Sequence, residues 1–240
     1  AGSYGATCAN KLTATADVLL SVGCRFVDWT SGSYKKGETY SIPPTKLIQV
    51  DIDPVEIGKN YPVEAALLGD AKASLRDLLD AVSDLAPARD YRQGQYYSEI
   101  RAAKEEWEQS QISMRNSDAI PMTQQRALAE LRKALDRRTI VTSGAGMTQR
   151  MVRQFFPVYE PRTHLSSGGF STMGFTVPAA IGAKLAQPDR TVVGIAGDGD
   201  FMQTMQELAV PVMLALPVLF VVMNNSGWLS IRNGQEAFFG

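Results

Sequence analysis

The sequence has few of the residues on which several kinds of site depend. It contains one histidine, His164, and two cysteines, Cys8 and Cys24, among 240 residues. A catalytic triad or zinc cluster that needs several histidines is therefore excluded. The two cysteines lie among small and apolar neighbours, which favours reduced thiols of a cytoplasmic protein over a disulfide or a metal site.

Strong net charge and long apolar runs are also missing. The formal net charge is −1, so nothing indicates a nucleic-acid partner or an anionic membrane surface. The longest apolar run, 218–223, is far shorter than the roughly 20 residues that a membrane helix needs, and has the length of a buried strand. Hydrophobic residues make up 45% and charged residues 20%, which is ordinary globular composition, and the length suits one large or two ordinary domains.

The most informative stretch runs from residue 191 to residue 227. An apolar strand pattern at 191–196 is followed by Gly197, Asp198 and Gly199, and then by a helix predicted to begin near Phe201. The glycines allow a close approach of the backbone, or a positive φ, and the helix would direct free N–H groups at a phosphate. A carboxylate at this place would repel a diphosphate unless a divalent cation lay between them.

A second polar turn supplies the other ligands for such a cation. Asn225 offers a side-chain carbonyl and Gly227 a backbone carbonyl, one helix and one strand after Asp198. A set made only of oxygen ligands, with room for phosphate oxygens and water, suits Mg²⁺. We therefore predict a magnesium site at Asp198, Asn225 and Gly227.

These residues resemble the signature of thiamine-diphosphate-dependent enzymes. Gly-Asp-Gly at 197–199 and Asn-Asn at 224–225 are separated by the 24 residues 200–223, with strand and helix patterns in the right order. The stretch 166–183 also resembles the family, and Met173 lies 25 positions before Asp198, like the hydrophobic residue that supports the bent cofactor in acetolactate synthases. Core packing is the alternative for Met173. Together with the glycine turn at 143–149, the resemblance implies cofactor contacts at Gly146, Thr148, Gly169, Met173, Gly197, Gly199, Asp200 and Trp228.

The first third of the chain resembles part of the middle domain of the acetolactate synthase group. The matching segments include a strand pattern at 17–23, another at 46–53 and a short strand at 67–70. In that group the domain often carries FAD, and the resemblance implies flavin contacts at Gly5, Arg25, Asp51 and Asp70. For Arg25, an ion pair is the alternative, since related enzymes keep the fold without flavin.

The predicted fold class is α/β, with doubly wound parallel sheets in a Rossmann-like middle domain and in a following diphosphate-binding domain. We place the middle-domain part at 1–83, a linker with a charged helix at 84–120 and the incomplete diphosphate-binding domain at 121–240. Ligands of such sheets bind at the carboxyl ends of the strands.

Three functions remain open at this point. The first is decarboxylation or carboligation of 2-keto acids, as in acetolactate synthases. The second is hydrolysis of a C–C bond in a cyclic diketone, because residues 27–33 depart from the acetolactate synthase pattern and resemble the trihydroxycyclohexanedione hydrolases. The third is a non-catalytic flavin- or nucleotide-binding module.

The resemblance also implies what has to come from elsewhere. The family uses a glutamate at the cofactor N1′ atom, carried by an N-terminal domain that is normally on a partner subunit, and no stretch here resembles that domain. Glu207 and Glu236 are not in the right context. We therefore expect a homodimer or homotetramer with the active site at a subunit interface. Because both ends look like cuts through domains, we expect residues 1–240 alone to be inactive and poorly soluble.

Overall fold

The chain divides into two compact units, each built on its own parallel sheet. The computed structural model describes residues 1–87 and 89–240, and the units are Ala1–Ile112 (unit 1) and Ser113–Gly240 (unit 2). All described strand pairs are parallel, and helices lie between successive strands except between β2 and β3. The predicted α/β class with parallel sheets is confirmed.

Unit 1 contains a three-stranded sheet in the order β1-β2-β3. Its elements are α1 Thr7–Ala14, β1 Val18–Val22, α2 Asp28–Ser31, β2 Lys46–Asp51, β3 Ala65–Leu68, α3 Ala71–Leu85, a 3-10 turn Tyr91–Gln93 and α4 Gln95–Ser110. β2 is the central and most buried strand, and Leu47 and Val50 are almost fully enclosed. The core beside it is aromatic, since Phe26 and Tyr40 meet edge to face with ring centroids 5.4 Å apart.

Unit 2 contains a four-stranded sheet in the order β5-β4-β6-β7. A short helix, α5 Ile112–Arg115, spans the division between the units; the other elements are α6 Gln124–Ala134, β4 Ile140–Ser143, α7 Met147–Phe155, β5 His164–Ser166, α8 Thr176–Ala186, β6 Val192–Gly197, α9 Asp198–Thr204, a 3-10 turn Met205–Leu208, α10 Ala209–Met213, β7 Leu219–Met223 and α11 Leu229–Phe239. β4 and β6 are central and buried along nearly their whole length.

The strand order of unit 2 positions the loops that follow the strands. From β4 the chain moves to β5 on one side, and it then crosses to β6 on the other side of β4. Loops that leave neighbouring strands in opposite directions open a crevice at the carboxyl ends, which is where ligands of such sheets bind. In unit 1 the three described strands follow one another in a single direction, so no such reversal occurs among them.

Two details differ from the sequence-based expectations. The helix expected to begin near Phe201 begins at Asp198, because the chain turns into helical conformation directly after β6. The apolar stripe along α3, which its helical spacing would place against a core, is largely exposed, with Leu79 at 64% and Val82 at 56%. None of the helices in the described part of the chain combines the length and the apolar character that crossing a membrane requires.

Candidate functional site

The register of the sheet in unit 2 brings the two halves of the predicted metal site together. Gly197, the last residue of β6, is the partner of Met223, the last residue of β7. The segments that begin at Asp198 and at Asn224 therefore leave the same edge of the sheet from adjacent strands. The spacer of 24 residues is the crossover that makes these two strands parallel neighbours.

Asp198 connects the two loops directly. One carboxylate oxygen, Oδ1, accepts a hydrogen bond from the Gly199 backbone N–H at 2.9 Å. The other, Oδ2, accepts one from the Gly227 backbone N–H at 3.1 Å, across 29 residues of sequence. Asp198 is half-buried at the first position of α9, where the helix dipole favours a negative group.

The side-chain oxygen of Asn225 is buried, and among the described residues it has no hydrogen-bond partner. An amide oxygen in this state has a free energy cost unless another group satisfies it. By contrast, the neighbouring Asn224 uses its side-chain oxygen locally, where it accepts from the Ser226 backbone N–H at 2.9 Å. The Gly227 carbonyl accepts from the Leu229 N–H at 3.0 Å and keeps a second lone pair.

The oxygen ligands available at this edge of the sheet fit a hard divalent cation. They are the Asp198 carboxylate, the unsatisfied Asn225 oxygen and the Gly227 carbonyl, all of them oxygen ligands of the type that Mg²⁺ prefers. Nowhere in residues 1–87 and 89–240 do three or more His, Cys, Asp or Glu side chains gather in a way that could hold a metal ion. The predicted site contains a single carboxylate, so it is of a different type from such clusters.

A second glycine turn lies beside the first. Gly146, which precedes α7, has φ 81° and ψ −153°, a conformation open almost only to glycine. Thr148 in the first turn of α7 is buried, and its Oγ1 lies 3.2 Å from the place that a Cβ on Gly197 would occupy. Two predicted cofactor residues from distant segments, Thr148 and Gly197, are therefore in contact.

Two further predicted residues, Met173 and Trp228, meet at a third, Gly199. A Cβ on Gly199 would lie 2.6 Å from the Trp228 indole Nε1 and 3.8 Å from the Met173 sulfur. Close approach, and not a positive φ, is thus what requires glycine here, because Gly199 lies within α9. Met173 is 37% exposed and Trp228 64% exposed, so both side chains retain surface that a ligand could cover.

Asp200 was predicted to contact the cofactor, but its side chain is buried and bonded within the protein. It is only 2% exposed. Its Oδ1 accepts from the Gly174 backbone N–H at 2.6 Å, and its Oδ2 accepts from the Thr176 hydroxyl. Burial raises the pKa of Asp200 above its usual value, although these hydrogen bonds act in the opposite direction. A Cβ on Gly144 would collide with the same carboxylate.

Gln149 also belongs to this region, although no sequence pattern predicted a function for it. Its side chain is 1% exposed, and its Oε1 accepts from the Ser171 hydroxyl at 3.0 Å. Ser171 has a positive φ of 49° in the loop that contains Gly169 and Met173. The only available signal was a polar residue at a helix position that the apolar pattern assigns to the core.

His164 was also missed as part of a pair. Its Nε2 lies 2.9 Å from the Oγ of Ser143, which is fully buried at the carboxyl end of β4. Burial, and then the positive charge of Arg153, lower the pKa of His164 below its usual value. The register of β4 and β5, which sequence periodicity does not specify, brings these side chains together.

The predicted flavin residues of unit 1 have local structural functions. Gly5 packs against the backbone of Ala1. Asp51 accepts from the Asp53 N–H at 3.0 Å, and Asp70 caps α3 by accepting from two backbone N–H groups at 3.0 Å each. Arg25 is exposed, and its backbone carbonyl accepts from the Asn60 side chain at 2.9 Å.

Comparison with protein families yields two matches that together cover most of the chain. Residues 1–78 match the central domain of thiamine pyrophosphate enzymes. Residues 144–240 match the C-terminal TPP-binding domain of thiamine pyrophosphate enzymes. The second match includes all the residues that converge at the edge of the sheet in unit 2.

The chain is also similar to acetolactate synthases along its whole length. A probable acetolactate synthase large subunit of Methanocaldococcus jannaschii is 36% identical over 252 residues, which is 100% of this chain and 40% of the relative. The chloroplastic acetolactate synthase of Arabidopsis thaliana is 34% identical over 99% of this chain and 34% of the relative. The isozyme 3 large subunit of Escherichia coli is 31% identical over 99% and 40%, respectively. The chain thus spans 34–40% of the length of these relatives.

Proposed function

The chain belongs to the thiamine pyrophosphate enzymes, and on this premise we propose that it supplies the metal- and diphosphate-binding half of an active site for 2-keto acids. The reaction class proposed is that of the acetolactate synthases, namely decarboxylation of a 2-keto acid and transfer of the remaining fragment to a second carbonyl compound. Similarity to acetolactate synthases over the whole chain supports this choice.

The observation that carries the proposal is the buried, unsatisfied oxygen of Asn225 next to Asp198 and Gly227. Many proteins have a strand, a glycine turn and a helix in this order, but a buried amide oxygen without a partner, in the loop that also bonds to Asp198, needs one. Asn225 would be satisfied as a ligand of Mg²⁺, and the positive charge of the ion would offset the repulsion between the Asp198 carboxylate and a diphosphate.

The residues of unit 2 would have distinct functions around the cofactor. Asp198, Asn225 and the Gly227 carbonyl would hold Mg²⁺. The turns at Gly197 and Gly146 would bring backbone N–H groups close to the diphosphate, since neither leaves a side chain in the way. When bound, thiamine diphosphate would supply the nucleophilic carbon and the electron sink that reactions of 2-keto acids require.

Met173 and its neighbours would determine how the cofactor is held. Met173 lies beside Gly199 and has exposed surface, so its side chain would support the ring system of the cofactor. Trp228, which covers Gly199 from the other loop, would exclude water from the same side. Gly169 and Thr148 would line the approach to the diphosphate.

The carboxylate that interacts with the cofactor N1′ would come from outside the described residues. Glu207 lies in a 3-10 turn beside α9, and Glu236 is exposed on α11, with its carboxylate 3.5 Å from Arg232. We propose that a partner subunit of a cytoplasmic homodimer or homotetramer supplies this group. Residues 1–240 alone would then have no measurable turnover.

The structure supports FAD less strongly than it supports thiamine diphosphate. Asp51 and Asp70 direct carboxylate oxygens at backbone N–H groups of their own turns. We therefore retain Gly5, Arg25, Asp51 and Asp70 as flavin candidates only for a direct test. Flavin absorption of the purified full-length protein after incubation with FAD would identify them as a site, and a colourless protein would remove FAD from the proposal.

Calorimetry on the full-length protein tests the cofactor assignment. We expect thiamine diphosphate to bind in the presence of Mg²⁺ and to lose most of its affinity after chelation with EDTA. Equal affinity with and without Mg²⁺ would contradict the metal site. Turnover of pyruvate would favour the 2-keto acid reaction, whereas turnover of a cyclic 1,2-diketone alone would favour the hydrolase that residues 27–33 resemble.

A further inference from the structure

The loop that contains Met173 is held from both sides by buried polar side chains. It connects β5 to α8 and spans residues 167–175. On one side of Met173 the anchor is Gln149, which lies on α7. On the other side the anchor is Asp200, which lies on α9. These two helices follow the two glycine turns of the proposed diphosphate site.

The first anchor fixes a residue in an unfavourable backbone conformation. Ser171 has φ 49°, which L-residues other than asparagine and aspartate rarely adopt. Its hydroxyl donates to the Gln149 Oε1 at 3.0 Å, and the Gln149 Nε2 lies 3.5 Å from the Ser167 hydroxyl. Because Gln149 is 1% exposed, water cannot easily replace Ser171 as its partner.

The second anchor lies immediately after Met173. The Asp200 carboxylate accepts the Gly174 backbone N–H at 2.6 Å and the Thr176 hydroxyl. In addition, the Thr204 hydroxyl donates to the Gly174 carbonyl at 3.0 Å. Both polar groups of the Gly174 backbone are therefore bonded to side chains of α9. Gly174 has φ 85° and is buried, which limits any other path for the loop.

We propose that Gln149 and Asp200 are positioning residues that fix Met173 relative to the proposed diphosphate site. Each helix that starts at a glycine turn sends one buried polar side chain to the same loop. A displacement of either turn would therefore move Met173 as well. Neither Gln149 nor Asp200 needs to contact the cofactor for this function.

This inference rests on the proposed function, because Met173 matters only if it supports a bound cofactor. Reactive geometry is sensitive to displacements of about 1 Å, which can cost on the order of a hundredfold in rate. Binding of the diphosphate would depend mainly on the metal and on backbone N–H groups. Removing either anchor leaves these groups in place. Loss of an anchor should consequently lower turnover more than it lowers cofactor affinity.

The test uses two substitutions in the full-length protein and one matched control. Thr176→Val removes the hydroxyl that Asp200 accepts, and Ser171→Ala removes the hydroxyl that Gln149 accepts. Thr163→Val is the control for Thr176→Val, since Thr163 is buried in the same unit, as Thr176 is, and its hydroxyl donates at 2.7 Å to the Glu160 carbonyl, outside the loop. Ser171 is only half-buried, so its variant is expected to fold even if Thr176→Val does not.

Three quantities are measured for each protein: kcat with pyruvate, the Kd of thiamine diphosphate with Mg²⁺, and amide hydrogen exchange across residues 167–176 without cofactor. We expect each loop variant to lose about tenfold or more in kcat, to change Kd by less than about threefold, and to exchange faster at Gly174 and its neighbours. The control should change none of the three, although its melting temperature should fall.

Either of two results would overturn the proposal. One is an amide hydrogen exchange rate across residues 167–176 that is unchanged in both loop variants. The other is a decrease in kcat that is no larger than the decrease in cofactor affinity or in stability explains. Failure of the proposed function gives a different result. If the wild-type protein binds no thiamine diphosphate, the function is wrong, and exchange in the cofactor-free protein still decides whether the two anchors hold the loop.

Discussion

The two units use the same local architecture for different purposes. Both have parallel strands that end in glycine or aspartate and continue into a helix. In unit 1 the aspartates at the strand ends satisfy nearby backbone groups, as Asp70 does at the start of α3. In unit 2 the polar groups at the strand ends reach across the fold, as Asp198 does to Gly227, and the buried oxygen of Asn225 is left without a partner among the described residues.

This difference shows that a strand–glycine–helix pattern alone does not identify a ligand site. Strand order distinguishes the two units, because only in unit 2 does the order of the described strands along the sheet reverse about a central strand, although every strand stays parallel. The partners of the aspartates at the strand ends distinguish them further, since Asp70 accepts only from its own turn whereas Asp198 also accepts from the loop after a second strand. A structural aspartate has used its hydrogen-bonding capacity locally, whereas a ligand site retains some of it.

The substitution expected to have the largest effect is Asp198→Ala in unit 2. It removes the single carboxylate of the proposed metal site, and we expect Mg²⁺-dependent affinity for thiamine diphosphate to fall roughly a hundredfold or more, because even groups that only support a metal ligand are commonly worth ten- to a hundredfold. Calorimetry on the full-length protein measures the effect. Asp189→Ala, at an exposed position of the same unit, is the control and should retain normal affinity. Equal affinities for the two variants would remove the distinction between the units.

Gly144→Ala should have the next largest effect, this time on stability. The added methyl group would collide with the buried Asp200 carboxylate, which its hydrogen bonds prevent from moving away. Overpacking of this kind costs about 3 kcal/mol. Gly182→Ala is the control, because no atom lies within 4 Å of the new Cβ in α8, and we expect about 0.5–1 kcal/mol of stabilisation. Urea unfolding of both variants checks the sign of each change, and a Gly144→Ala protein as stable as wild type would contradict the close packing.

Asp70→Ala tests the comparison in unit 1. The substitution removes the two hydrogen bonds that cap α3, and loss of such a cap typically costs about 1 kcal/mol. We expect the unfolding midpoint of unit 1 to fall while the affinity for thiamine diphosphate stays unchanged. If the full-length protein binds FAD and Asp70→Ala abolishes that binding without lowering stability, Asp70 is a ligand contact and the comparison is wrong for this residue.

The smallest predicted effect is a pH dependence confined to unit 2, which contains the single histidine of the chain. The pKa of His164 is lower in the folded protein than in the unfolded one. At a pH below the ordinary pKa of histidine, the unfolded state therefore binds more protons than the folded state. The stability of unit 2 should therefore fall as the pH decreases below about 6.5, the ordinary pKa of histidine. His164→Gln should flatten this dependence in urea titrations at pH 7.5 and pH 5, and an unaltered slope would assign it to other groups.

Most strands could be predicted from the sequence, because short apolar runs ended by glycine or aspartate have few alternative interpretations, but the three-residue strand β5 was not predicted. The spacing between Asp198 and Asn225 predicted for a similar reason that these two residues follow neighbouring strands, since it matches the length of one crossover. The start of α9 was misplaced by three residues because glycine and aspartate at 197–200 are also typical of a loop.

The functions of individual polar residues were harder to predict. Asp200 is next to the metal motif in sequence, yet its side chain points into the protein and holds the loop of Met173. Gln149 and Ser171 form their hydrogen bond across 22 residues, and no local pattern encodes that contact. Such pairs depend on how two helices and a loop pack, which the periodicity of one segment cannot specify.

The position of the Trp228 indole against Gly199 also has an optical consequence. The other two tryptophans of the chain, Trp29 and Trp107, belong to unit 1, so the emission of Trp228 reports on unit 2 by itself. Its ring is 64% exposed, which predicts red-shifted fluorescence that an added ligand would quench or shift to the blue. The difference in emission between the wild-type protein and Trp228→Phe would therefore follow filling of the crevice in real time, without a label and without turnover.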